Sequence, residues 1–206
     1  MNDYHQRVLL GDRVQGHGSH GGGMGGGVLL NMHWHWLGHE PRFDRRGRLA
    51  EWELVFVEDY DNLIVNQGLN HLLDVHFHAA TQITTWYIAL LGASGGTINA
   101  TQTYQNSMST GNDEVVNYDE AARQAFVEGA PSGQSIDNVG NEAVFTVSSG
   151  GLTVGGGALV SDSTKNDNGA GPFMYSKGAF TGGDQTLSEG GTLTVTLTLT
   201  AADDGA

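Results

Sequence analysis

The sequence predicts an all-β protein: a jelly-roll-like β-sandwich with one short α-helix and a flexible Gly/His-rich N-terminal arm. Three observations carry this. Glycine supplies 32 of the 206 residues and proline only 3, and the second half is dense in Thr and Ser, the balance of short strands joined by glycine turns. Near the C-terminus Leu193, Val195, Leu197 and Leu199 alternate with Thr194, Thr196, Thr198 and Thr200, the period of two of a half-buried strand. One stretch, from Asn66 to about Ala80, places its apolar residues at helical spacing instead.

Charge divides the chain unevenly. Residues 1 to 50 hold six of the nine basic residues (Arg7, Arg13, Arg42, Arg45, Arg46, Arg48) and carry a net +2, whereas residues 51 to 206 carry −16. So acidic a body repels nucleic-acid phosphates, which argues against a DNA or RNA partner, while a mildly basic segment can reach an acidic one. With no cysteine, disulfides and thiolate metal sites are excluded, and stability must come from packing or from association of subunits. There is no apolar run of 18 residues for a membrane span, and "HQRVLLGDRVQGHG" lacks the order of a signal peptide, so a soluble chain made in the cytoplasm is expected.

Two segments follow from composition. "GHGSHGGGMGGG", Gly16 to Gly27, has too little apolar surface to offset the entropy of ordering it, so residues 1–27 read as a flexible arm and residues 28–206 as the body. In the body, "VLLNMHWHWLG" sets Met32, Trp34 and Trp36 against His33 and His35, a strand with one aromatic face that wants burial. A turn is expected near Arg45 to Arg48, a strand through "EWELVFVE", a second turn at "DYDN" and a short apolar run at Leu63 to Val65. Asn66 can then cap a helix whose stripe is Leu69, Leu72, Leu73, His76 and Ala80, with Phe77 at its edge. "ITTWYIALLG" is apolar on both faces and reads as the central strand. "EAARQAFVEG" is a short strand or turn closed by Pro131, and "AVFTVSS", "LTVGGGALVS", "FMYSKGAF" and "GTLTVTLTLTAA" are strands between Gly, Asn and Asp turns.

Chemistry is weakly signalled. His71, Asp74 and His78 share the helix face opposite His76, a ligand-like spacing, yet no second shell or general base accompanies them. His17, His20, His33, His35 and His39 are dense enough to chelate weakly, as any histidine-rich tract can. The adjacent acids Asp113 and Glu114, or Asp59 and Asp61, could be drafted as acid and base, but a chain with 23 acids contains such pairs by chance. No phosphate-cradling loop or nucleophile elbow is present, and no cofactor or catalytic residue is assigned.

Three stretches, "DNLIVNQGLNHLLDVHFHAATQITTWYIALLG", "DEAARQAF" and "STKNDNGAGPFMYSKGAFTGGDQTLSEGGTLTVTLTLT", resemble a family of small structural proteins of tailed bacteriophages, the capsid cement or head decoration proteins. The likeness runs from about Trp52 to Thr200, and its most specific parts are the "NQGLNHLLDV" helix, the "TTWYIALL" strand and the "AFTGGDQ…GGTLTVTLTLT" ending. It implies a jelly-roll-like sandwich, a homotrimer over capsid symmetry axes and the major capsid protein as partner, on the outer surface of the virion, with no catalytic residues. The candidate capsid-contacting residues are Arg42, Arg45, Arg46, Arg48, Trp34 and Trp36, and the arm is expected to help attach the body. A tail-fibre or receptor-binding module is the alternative, since it shares the Gly/Thr-rich make-up, although no repeat is visible; a small metal-dependent enzyme ranks below both.

Overall fold

The structure, a computed structural model, describes residues 28–108 and 113–203. The arm over residues 1–27 lies outside the described residues. In chain order come β1 (Val28–Phe43), β2 (Leu49–Asp61), β3 (Leu63–Ile64), α1 (Asn66–Phe77), β4 (Trp86–Leu91), α2 (Tyr104–Ser107), β5 (Glu114–Val115) and β6 (Gln124–Phe126). Then follow β7 (Ser135–Asp137), β8 (Ala143–Thr146), β9 (Leu152–Val154), β10 (Gly156–Val160), β11 (Met174–Ala179), β12 (Gln185–Leu187) and β13 (Thr192–Asp203).

The strands build a sandwich of two antiparallel sheets. One runs β2-β1-β13-β7 with β8 also on β13; the other runs β3-β11-β10-β4-β5 with β6 also on β4; β9 and β12 pair separately. Met32, Trp34 and Trp36 from β1 and Leu193, Val195 and Leu197 from β13 meet Ile88, Leu90 and Leu159 of the facing sheet in the main core. Leu199, expected with the inward set, is only partly buried and packs against the edge of the core. β4 is central as expected. Ile88 and Leu90 enter the inter-sheet core, while Ala89 and Leu91 pack outward under Tyr104 and Met108, so its sheet is covered on both faces.

Several expectations need correction. The turn placed at "DYDN" is instead the end of β2: Tyr60 is buried between Asp59 and Asp61, whose carboxylates meet His35 and His33 across the strand pair. "LTVGGGALVS" is two strands in different sheets. Gly155 to Gly157 let the chain cross, since a Cβ on Gly156 would lie 2.1 Å from Gly178 O and one on Gly157 2.5 Å from the Trp36 ring. Trp34 and Trp36 are fully buried, stacked at 5.3 Å, and so are core residues rather than contacts with a capsid.

A further correction rotates the helix. α1 buries Gly68 and His71 and half-buries Leu72 and Val75, while His76 and Phe77 are exposed. The reason lies at Gly68, where an added Cβ would sit 2.3 Å from Tyr175 O, so the helix approaches β11 most closely at its smallest residue rather than along its leucines. Leu73 is accordingly 38% exposed, while Leu69 and Leu72 pack against the core. The cap is Val65 rather than Asn66, with no side-chain hydrogen bond, because Asn66 is already the first helical residue. The helix ends at Phe77 with His78 as its cap, and Ala79 beyond it holds φ 58° while Ala80 N–H returns to Asp74 O. An L-residue with a Cβ is strained there, so Ala79→Gly should stabilise the protein by roughly 0.5–1 kcal/mol, the gain being trimmed by the entropy glycine adds to the unfolded chain. A lower urea midpoint in that variant would contradict the left-handed cap.

Candidate functional site

The acid pair Asp113 and Glu114 is committed to cations. Glu114 and Arg123 have fully buried side chains and meet through two parallel hydrogen bonds of 2.7 and 2.8 Å. Arg123 also donates to Tyr104 Oη and to the carbonyl of Asp162, which pins the loops outside the second sheet to one another. Burial works against its charge, but Glu114 outweighs this and holds the guanidinium above its usual pKa. Asp113, next in sequence, turns to Lys177 on β11, a fully buried ammonium whose other neighbour is Ser107 Oγ at 3.4 Å. Both carboxylates thus serve as anchors. Burial also raises two tyrosines, Tyr104 beside Arg123 and Tyr175 in the main core against Trp86, each to about 12. A tyrosine whose folded pKa exceeds its unfolded value keeps its stabilising contribution below about 10 and loses it as pH rises toward 12. Stability should therefore fall between about pH 10 and 12, with Tyr104 and Tyr175 forming phenolate late in an ultraviolet titration. Phenolate appearing for every tyrosine at about pH 10 would contradict it.

The helix histidines do not converge. His71 is buried against Phe173 and Trp86, at 4.8 and 5.8 Å between rings, whereas Asp74 and His78 are exposed. Rotation of α1 has separated the set. His33 and His35 lie instead on the outer face of β1, in a ladder with Asp61 and Asp59 at 2.9 and 2.7 Å. Burial opposes ionisation of Asp59, but His35 and then His33 outweigh it and lower its pKa. Among the described residues no group of three or more His, Asp and Glu side chains is arranged to hold a metal ion, and no helix is long and apolar enough to cross a membrane.

The surface that stands out is the end of the β1–β2 pair. β13 accompanies β1 only as far as His39, so beyond that point β1 and β2 continue as a two-stranded ribbon projecting past the sheet. Its turn is set by Asp44, which accepts from the N–H groups of Arg46 and Arg48, and by Gly47 at φ 73°. Register puts Phe43 opposite Leu49, Pro41 opposite Trp52 and His39 opposite Leu54, so these share one face and Arg42, Glu51, Glu40 and Glu53 share the other. The binary pattern of the sandwich is inverted. On the ribbon the apolar side is the continuation of the outward face, and Phe43, Leu49, Trp52 and Leu54 are 62, 50, 47 and 50% exposed. Arg42 pairs with Glu53 and Arg48 with Asp44, and all four candidate arginines lie at this end. Sequence reading placed the arginines near a turn but overlooked the apolar face, although the run Leu49, Trp52, Leu54, Val55, Phe56, Val57 was visible as more apolar than an edge strand needs.

At the other end of β1 the inter-sheet core opens into an apolar groove of about 690 Å³, lined by Val28, Leu30, Leu72, Tyr175, Leu199 and Ala201. Tyr175 is 6% exposed and its hydroxyl has no hydrogen-bond partner. No family of known proteins, no curated protein and no solved structure matches this chain.

Proposed function

We propose that the chain is a structural virion protein, a capsid cement or decoration protein that binds the outside of a bacteriophage head and stabilises contacts between major capsid subunits. The observation that carries this reading is the ribbon. A monomeric protein gains nothing from an apolar face on a projecting edge strand, whereas a subunit of a shell covers such a face with a neighbour. The sandwich supports the same reading. Its buried ion pairs and two-sided core make a rigid block, and the tip of the ribbon, residues 42–48, carries four arginines against one aspartate. Repetition of weak contacts over a shell then supplies the strength that no single contact has. A homotrimer bound to the major capsid protein is the assembly this reading entails, with Arg45 and Arg46 among the residues that hold it in place.

The test is co-sedimentation of the purified protein with undecorated heads of its phage. Saturable binding that raises the temperature at which the heads open is expected, and it should weaken at least ~10-fold when Arg45 and Arg46 are both replaced by Glu. Failure to bind heads, with binding to tails or to host cells instead, would contradict the proposal.

A further inference from the structure

We infer that Lys177 and Asp113 condense to an amide between their side chains, a covalent staple on the outer face of the second sheet. Nζ of Lys177 lies 2.5 Å from Asp113 Oδ2, between residues 64 apart in the chain. Reacting atoms poised for attack stand about 3–3.5 Å apart, and the carboxyl carbon is one C–O bond beyond that oxygen. The staple is independent of what the protein binds.

Small residues bring the two groups together. Lys177 on β11 stands in register with Ala158 on β10, and Ala158 with Ala89 on β4, so the lysine lies beside two side chains of one methyl each. Asp113 approaches from the other side of the sheet, just before β5, and its carbonyl accepts from Gly92 N–H at 2.7 Å where β4 ends. Its carboxylate then fits against Gly96 at φ 70°, where an added Cβ would fall 2.1 Å from it. Glycine is required there both for the backbone angle and for the space.

The two buried ion pairs of this face differ in what they can become. Arg123 donates twice to Glu114 and also to Tyr104 Oη and the carbonyls of Asp162 and Asp167. Its guanidinium stays protonated and offers no lone pair for attack. Lys177 has three donors, and among the described residues it bonds only to Asp113 and, at 3.4 Å, to Ser107 Oγ. Two charges taken out of water with so few hydrogen bonds are costly to keep. An amide carries neither charge and retains one N–H for Ser107 Oγ, whose own proton goes to Gln102 Oε1 at 2.6 Å.

The step balances within the pair. The ammonium passes a proton to the carboxylate, giving an amine and a carboxylic acid with no change in net charge. The Nζ lone pair adds to Cγ and the Nζ–Cγ bond forms. One Cγ–O bond then breaks, and that hydroxyl leaves with a second nitrogen proton as one molecule of water. Bulk water opposes such a condensation, but well-oriented partners reach effective molarities of roughly 10⁵–10⁸ M. The lysine side chain is 1% exposed and the aspartate 21%, so the water that would reverse the step is largely kept from the bond.

The test is intact-mass spectrometry of the unfolded full chain. Wild type should be one water lighter than the chain its terminal fragments define, and Lys177→Arg and Asp113→Ala should each keep full mass. Proteolysis of wild type should release one branched peptide that contains both residues, identified by tandem fragmentation. Circular dichroism shows whether the variants fold, and the wild-type mass with its branched peptide decides the matter even where they do not. Wild type at full mass would overturn the inference. So would a water missing from Lys177→Arg as well, since that loss belongs elsewhere, as in an aspartate closed on its own backbone.

Discussion

Glu114→Gln is expected to lower the stability of the protein by roughly 3–5 kcal/mol, as removal of one partner of a buried ion pair does. The substitution keeps the shape of the side chain and removes only its charge, leaving the fully buried Arg123 guanidinium with the partly exposed Asp162 carboxylate, 3.9 Å away, as its remaining opposite charge. The same carboxylate accepts from the N–H of Asn166, so the loop after β10 loses its tie at the same time. Urea unfolding should show a lower midpoint with an unchanged slope. Arg123→Met combined with Glu114→Leu should cost less than the sum of the two single changes, since no uncompensated charge then remains. A Glu114→Gln protein as stable as wild type would mean that the pair is solvated and that the loops outside the second sheet are held by something else.

Trp34→Ala should be of similar size, roughly 3–5 kcal/mol, on the grounds of the cavity it leaves. The indole is fully buried, stacked on Trp36 at 5.3 Å and on Tyr60 at 6.4 Å, and the glycine at 157 leaves no side chain to fall into the space. This variant also separates core from contact. A surface tryptophan would change binding and leave the melting temperature alone, whereas the buried one should lower the melting temperature whether or not any partner is present.

The long strands were legible because their patterns are local. Alternation of Met32, Trp34 and Trp36 with histidines, and of Leu193 to Leu197 with threonines, fixes facing wherever a strand has one wet side, and both strands face as read. The doubly apolar "WYIALL" announced a strand covered on both faces in the same way. The helix was legible in place but not in rotation. Its face was decided by the close approach of Gly68 to the backbone of Tyr175, more than a hundred residues away, and a wheel drawn from side-chain hydropathy gives glycine no weight. β7, β12 and α2 were missed because each is four residues or fewer and is held by distant partners. The amide of Asn138, which accepts from Leu197 N–H and donates to Val195 O, is one such tie. The break between β9 and β10 depends likewise on which backbone Gly156 must pass.

For the candidate site, the arginines of the turn were visible and the apolar face was not. Assigning Leu49, Trp52 and Leu54 to a side needs the register of β2 on β1, with its two irregularities, and needs to know that β13 stops at His39. Neither is a local property. The histidines show the reverse case: their density drew attention to metal chemistry, while His33 and His35 sit across from Asp61 and Asp59 and His71 packs against Phe173, each with an ordinary partner.

Cryo-electron microscopy of the assembled particle tests the central claim most directly. The account predicts this sandwich on the outer surface of the head, three copies around a symmetry axis, with each ribbon covered by a neighbouring subunit. Particles whose heads are bare, with the sandwich in the tail or absent altogether, would contradict it.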